Sequence, residues 1–597
     1  MIKMYFFSAF VLLAFLFQKT LPAPNPGDAV IKEIRTDYSY KLQSFNQSIQ
    51  HLKSMAKAFD EDPQTLGQLE AAIIATRLAY KQIEHFVAYF QEESNTRYIN
   101  GAPLPKIDAS APQHSIIPPL GLQTLDEAIF SEAPEASEVI ELVEKLEYFW
   151  KPMQKFEGSR RMEHRYVFEA SRAQVIRIFT LGLTGFDTPG SVNAIPEAII
   201  SLETMQNTFK TYDAFANQDA QKLAKNIQAL IEYLEDHNDF DTLDRLYLLR
   251  AFVNPIYKQI YQLQKSLEIE FIEEADHTMK SVNYHTQEVF HQDFLNKGYF
   301  SQIAESDLED PRKIELGKLL FFDPALSKDL GMSCATCHQP EKGFTDGLPK
   351  SQSNTPGKST LRNAPTIINS VYAEKYFYDL REYDLERQVK HVVYDKNEFN
   401  MDFIDLADRL KESEEYTQLF KEAYGDRDKY GISTWSISNS LAAYVASLSS
   451  WNSPFDQYAR SERNDYPEAA QKGFNLFMGT AACGTCHFAP TFGGVVPPSF
   501  RESESEVIGV PIAPDTANAT LDTDPGRIEN GRIRDHLEHF AFSFKTTTLR
   551  NVALTAPYMH NGVYNTLDEV VDFYNRGGGA GLGMDLPHQT LPFDNLQ

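Results

Sequence analysis

Cysteine usage constrains this chain more than any other feature. The 597 residues include four cysteines, and all four stand in two copies of one pattern, Cys334-Ala335-Thr336-Cys337-His338 and Cys483-Gly484-Thr485-Cys486-His487. C-x-x-C-H is the attachment signature of a c-type haem: the two thiols add across the vinyl groups, and the histidine binds the iron from the proximal side. No cysteine is left over for a disulfide or a free nucleophile. A four-cysteine zinc cluster would leave both histidines unexplained. Two covalently bound haems are therefore expected, with His338 and His487 as proximal ligands.

The residues before the motifs repeat as well. Gly317-Lys-Leu-Leu320-Phe321 precedes the first, and Gly473-Phe-Asn-Leu476-Phe477 precedes the second. Each reads as a helix feeding a small cytochrome c-like lobe, so the two lobes form a diverged internal repeat. The expected fold is all-α, in three parts after the leader. Residues 26–285 read as a helical bundle of unknown role. Leu69, Ile73, Thr76, Tyr80, Ile83, Val87 and Phe90 mark one helix face, and Val139, Leu142, Leu146 and Phe149 mark another. Segments 222–236 and 240–266 look similar, and Pro- and Gly-bearing loops at 101–122 and 185–196 separate the helices. Residues 286–463 hold the first lobe and 464–597 the second. His85, between Ile83 and Phe86, reads as a packed side chain rather than a ligand. The glycine run 577–583 follows no strand and sits in no βαβ unit, which excludes a dinucleotide loop.

Covalent haem is attached outside the cytoplasm, and the N-terminus agrees. Lys3 is followed by an apolar run over residues 5–17 and then Leu-Pro-Ala-Pro, which fits a signal peptide over residues 1–22. The run falls short of the ~20 residues of a membrane span. A periplasmic or secreted protein is expected, with an uncleaved anchor as the alternative. With 83 acidic and 56 basic residues the net charge is -27. That argues against nucleic-acid binding, which needs a basic face. It suits a basic electron donor, although a merely soluble acidic surface is the plainer explanation.

From about residue 300 onward the chain resembles the bacterial di-haem cytochrome c peroxidase and MauG family. The resemblance rests on segments 316–324, Phe-Thr-Asp-Gly (344–347), Arg-Asn-Ala-Pro-Thr (362–366), Asn-Glu-Phe-Asn-Met (397–401), Ser-Pro-Phe-Asp-Gln-Tyr (453–458), 548–562 and both haem motifs. It implies peroxide reduction at the first haem, with electrons arriving through the second. Glu398 matches the family's distal glutamate, an acid–base group for O–O cleavage. Where reductively activated members carry a distal histidine this chain has Asn354, so the first haem is expected to be open, unless Met401 or His391 enters from a loop. The tryptophan placed between the haems is here Tyr378, a relay that must also manage a proton. The methionine on the second haem is here Tyr574, as in MauG-like members, with Met559 and Met584 as rival ligands. A phenolate favours ferric iron, and axial ligands move potentials over ~0.8 V. Asn363, Thr555 and Pro557 match a calcium site between the lobes. Family members usually continue into a further apolar helix, so the second lobe is expected to be less covered here.

The function implied is a MauG-like di-haem peroxidase that reduces hydrogen peroxide with electrons from a small redox protein, such as a cytochrome c or a cupredoxin. Two alternatives stand beside it: oxidation of a protein residue or organic substrate, and a non-catalytic di-haem electron carrier. A homodimer is compatible with each.

Overall fold

The computed structural model describes residues 26–107, 116–215, 217–425, 431–586 and 588–589. The expected signal segment, 1–22, lies outside these residues, as does 590–597.

Helices form where apolar residues recur at helical spacing. Pro26–Glu61 buries Ile34, Tyr38, Leu42, Phe45, Ile49 and Leu52 along one stripe. That stripe packs against Ala136–Gly158 and Leu66–Lys81, with Phe45 edge-on to Trp150 at 4.7 Å. His164–Arg177, Ala194–Lys210, Gln218–Asp236 and Asn254–Ser266 add the other long helices of the bundle. Two sequence expectations need correction. The periodic stretch from Leu69 to Phe90 is not one helix: Leu66–Lys81 ends, and Glu84–Phe90 begins after a tight turn closed by Ile83 N–H on the Tyr80 carbonyl at 2.9 Å. The break turns Lys81 and Glu84 inward together, where they pair at 2.7 Å. The helix expected from 240 starts instead at Arg245, where the Asp244 carboxylate caps the Tyr247 N–H. His85 is buried, and burial holds its imidazole down to about 3, the state of a packed neutral ring.

In the first lobe, Pro311–Phe322 crosses Thr434–Ser447 at Gly317, where a Cβ would lie 1.9 Å from the Ser440 carbonyl oxygen. Leu385–Tyr394 packs on the same central helix. The second lobe opens with Glu468–Met478, passes through a long irregular stretch with short 3-10 turns, and reaches Leu567–Asn575. Among the described residues, strands are limited to two antiparallel pairs: Lys106–Ile107 with Ile116–Ile117, and Ser505–Glu506 with Phe544–Lys545. The fold is all-α as expected. One continuous apolar core runs from the bundle into both lobes. No described helix is long and apolar enough to cross a membrane. Of three π-helical turns among the described residues, Asn95–Ile99 and Ile178–Gly182 each lead into a bundle loop that reaches the cavity wall or the second lobe.

Candidate di-haem site

A single cavity of ≈ 1380 Å³ is lined by Cys334, Cys337 and His338 from the first motif and by Cys483, Cys486 and His487 from the second. It exceeds the ~300–1,000 Å³ of ordinary small-molecule sites. Glu398, Tyr378, Tyr574, Asn363, Thr555 and Pro557 line it too. The sequence scatters these residues over more than two hundred positions, and the fold gathers them.

Each motif is held by its own short turn. The start of Cys334–Cys337 is fixed by Ser333 N–H, which donates to the Thr336 hydroxyl at 3.0 Å. His338 N–H returns to the Cys334 carbonyl at 2.9 Å, and its Nδ1 lies 3.0 Å from the Phe344 carbonyl. The second motif starts after Ala482, in the left-handed region at φ 52°, and repeats the pattern: His487 N–H reaches the Cys483 carbonyl at 2.9 Å. His487 Nδ1 lies 3.1 Å from the Thr547 carbonyl. A carbonyl on Nδ1 fixes the tautomer and leaves Nε2 for a metal. Burial pushes the Cys334 and Cys337 thiols up to about 12 and holds the His487 imidazole down to about 4. The wall also presents bare apolar side chains: Leu361, Leu476 and Val571 are 59%, 55% and 56% exposed although they line the cavity. Paired thiols, oriented imidazoles and an apolar wall together fit two covalently attached haems.

Glu398 sits on the turn after Leu385–Tyr394. Asn400, at φ 47°, donates to the Asp395 carbonyl, and Glu398 N–H reaches the same oxygen at 3.1 Å. Asn354 does not face the cavity but clamps this turn. Its N–H donates to the Asn397 carbonyl at 3.0 Å, and its Nδ2 to the Lys396 carbonyl at 2.8 Å. Burial, and then Asp395, push the Glu398 carboxyl up to about 7 against the pull of Arg381. His391 and Met401 are not part of the cavity wall. His391 Nε2 lies 3.3 Å from Glu382 Oε1, and Met401 is packed in the core.

The Tyr378 hydroxyl is 3.4 Å from Asn363 Oδ1, and burial raises its phenol pKa. Its carbonyl accepts Lys545 N–H at 2.7 Å, two residues from the Thr547 carbonyl that orients His487. Asn363 Nδ2 in turn donates to the Leu348 carbonyl at 2.8 Å and is 3.4 Å from that of Pro557. The Thr555 hydroxyl donates locally, to the Val552 carbonyl at 3.1 Å. Among the described residues no cluster of three His, Cys, Asp or Glu side chains is gathered for a metal ion.

Tyr574 lies in the last turn of Leu567–Asn575, whose start is fixed by a Thr566–Glu569 capping box. Burial, then the Cys486 and Cys483 thiols and Glu506, raise its phenol pKa, and Tyr574 shares the cavity wall with the second motif. Met559 lines the cavity as well, whereas Met584 does not. Met584 N–H bonds to the Gly579 carbonyl at 3.0 Å, within the glycine-rich turn. That turn needs small residues because Gly579 N–H meets the Ile508 carbonyl at 2.9 Å and a Cβ on Gly579 would fall 2.6 Å from the Gly509 carbonyl oxygen. Segments noted separately in the sequence meet here. Arg550 pairs bidentately with the buried Asp456 at 3.1 and 3.0 Å, and Arg362 joins Asp379 at 2.6 Å to Asp524 at 2.7 Å. Sequence reasoning missed the carbonyls of Phe344 and Thr547, which no side-chain pattern announces. It also missed the bundle residues Phe186 and Phe240 in the cavity wall.

The family profile described as di-haem cytochrome c peroxidase matches residues 311–464. The cytochrome-c peroxidase IdrP2 of Pseudomonas sp. (strain SCT) is 34% identical over 290 residues, 46% of this chain and 75% of that protein. The methylamine utilization protein MauG of Methylorubrum extorquens is 32% identical over 269 residues, 45% of this chain and 70% of that one. Among solved structures, a MauG-like protein associated with microbial copper homeostasis aligns with a TM-score of 0.42 and 28% identity, over 49% of this chain and 84% of that one. Through about half of its length the chain belongs to the di-haem cytochrome c peroxidase/MauG family.

Proposed function

We propose that the protein reduces hydrogen peroxide to water with electrons from a small redox protein, a cytochrome c or a cupredoxin, and that its second haem site is of the MauG type. When bound at Cys334–His338 and Cys483–His487, the haems supply the redox chemistry: two electrons for each peroxide. The chain's own residues manage protons and orientation. Reduction of peroxide to two waters takes up two protons, and Glu398 is the group in the cavity suited to move them. At about 7 its carboxyl can take a proton from one peroxide oxygen and return it to the other near neutral pH. Tyr378 would relay electrons between the two sites, with Asn363 Oδ1 beside its hydroxyl to steady the phenolic proton. Tyr574, which lines the cavity with Cys483 and Cys486, would be the distal ligand of the second site. It favours the second reading as well, oxidation of a protein residue or organic substrate. A calcium ion would bind at Asn363, Thr555 and Pro557 with carbonyl and water oxygens completing its shell. A periplasmic or secreted location, with residues 1–22 as signal peptide, is the setting such haem attachment needs.

The observation that carries this reading is a near-neutral carboxyl in the same cavity as both haem motifs. Stopped-flow mixing of the as-isolated oxidised protein with one equivalent of peroxide tests it. A prompt change in the absorption of both haems is expected. Glu398→Gln should slow that change by ~10²–10⁴-fold with both haems retained. Equal rates in the two proteins would remove Glu398 from its role. No reaction in either, even after one-electron reduction, would leave the electron carrier.

A further inference from the structure

The helical bundle enters none of the chemistry above, yet it lies directly on the second motif. Phe488 follows His487 in sequence and is fully buried. Its outer edge meets the ring of Phe186 from the bundle, with centroids 5.5 Å apart at 80°. Arg245 of the bundle lies on Gly479, four residues ahead of Cys483, where a Cβ would fall 2.5 Å from its Nη1. The same guanidinium donates to the carbonyls of Leu183, Phe240 and Leu243 at 2.7, 2.8 and 3.2 Å. Asp244 accepts from Asn475 Nδ2 at 3.0 Å, and the Thr480 hydroxyl donates to Asp241 at 3.2 Å. All these contacts fall on residues 475–488. Leu104, Phe186, Pro189 and Phe240 share the cavity wall with Cys483.

The loop that carries Phe186 is unusually fixed. Asp187 is buried, and its carboxylate accepts Lys81 Nζ at 2.7 Å, Gln123 Nε2 at 3.1 Å and Asn100 Nδ2 at 3.3 Å. Arg77 donates to the Asp187 carbonyl and pairs with Glu197 at 2.6 Å. On the far side of the loop, the Asp126 carboxylate accepts the N–H groups of Gly190 and Ser191 at 2.8 and 2.9 Å. Gly185, at φ 85°, lets the Phe240 ring close over the chain, with Cζ only 3.1 Å from where a Cβ would stand. Buried ions cost several kcal/mol each unless they are paired, and an apolar core of the same shape would serve stability as well. What the charges add is a single geometry for this loop, next to the second site.

We propose that the bundle is a wall of the second haem site: loop 185–193, set in place by Asp187, closes the Cys483–Phe488 face to water and to direct contact by small reductants. The proposal rests on the assignment of a haem to Cys483 and His487. Phe186 and Phe240 are the shielding side chains, and Asp187 is a positioning residue.

The test uses full-length holoprotein. A pyridine haemochrome assay first counts haems per chain; fewer than two in the wild type would overturn the haem assignment and the wall with it. With two haems present, reduction of each by ascorbate is followed by stopped flow, the haems being told apart by their electron paramagnetic resonance signals. Phe186→Ala should speed reduction of the second haem several-fold and leave the first unchanged. Phe186→Leu, which keeps an apolar side chain, should stay near the wild-type rate. Equal second-haem rates in the wild type and Phe186→Ala would overturn the wall while leaving the haem assignment intact. If Phe186→Ala fails to retain two haems, Phe240→Ala carries the same expectation and the same refutation.

Discussion

Glu398 shows how a carboxyl useful near neutral pH burdens the fold that holds it. Burial and the neighbouring Asp395 raise it from an ordinary 4.5 to about 7. Between those values the native state keeps a proton that the unfolded chain has lost. Its contribution to stability is therefore complete below about 4.5 and is lost as pH rises through about 7. At 1.36 kcal/mol per pH unit the ceiling on that loss is about 3 kcal/mol. Glu398→Gln cannot ionise, so it should be more stable than the wild type at pH 8, with the difference fading toward pH 4.5. Denaturant unfolding of the holoprotein at the two pH values measures this; a difference that does not depend on pH would mean that Glu398 is not buried as described. The sequence pointed to Glu398 through its Asn-Glu-Phe-Asn-Met setting but could not give its proton affinity, which comes from Asp395, Arg381 and burial. Asn354 was legible as a missing histidine. Its clamp on the Glu398 turn depends on two carbonyls more than forty residues away.

The two Gly-x-x-Leu-Phe helices look equivalent in sequence and differ in what the glycine does. Gly317 is a crossing point, where a Cβ would collide with the main chain of Ser440 at 1.9 Å. Gly473 has no protein atom within 4 Å of an added Cβ, because it lines the haem cavity rather than a helix crossing. Gly317→Ala should therefore push two helices apart and destabilise by ~1–3 kcal/mol, as overpacked cores do. Gly473→Ala meets no such helix and should cost less than Gly317→Ala, its position lying instead on the wall of the haem cavity. Thermal unfolding of the two variants side by side decides the matter, and equal losses would contradict the crossing geometry. Helix positions were mostly legible because 3.6-residue periodicity follows from burying one face. The break at Ile83 was not, since the apolar pattern runs straight through it. Only the tertiary partners of Lys81 and Glu84 require the chain to turn there. The cavity-lining stretch after Cys486 has little periodicity of any kind, so its path was illegible until Thr546, Thr547 and Arg550 were seen to brace it.

At the scale of the whole molecule, charge and architecture act on the same event, the arrival of an electron donor. That the chain holds two haem motifs and a helical N-terminal half follows from motif repetition and helical pattern. That the bundle covers residues 475–488 does not, because Arg245, Asp244 and Phe186 carry no mark of the surface they meet. The net charge of -27 was legible from composition alone, and it acts at a distance however the parts are arranged. A field of that sign draws a basic donor in and repels an acidic one, and its reach is set by the Debye length, about 30 Å at 0.01 M salt and about 8 Å at 0.15 M. The rate of electron delivery from a basic cytochrome c should therefore fall by ~10-fold or more between those salt concentrations, while an acidic donor of similar potential should be slower and gain from added salt. Ascorbate, much smaller than either protein and less steered by the field, separates the two influences: its access is limited by the wall around Phe186 more than by long-range charge. Measuring all three reductants over a salt series tests this, and a basic donor whose rate ignores salt would mean that encounter is not governed by the acidic surface.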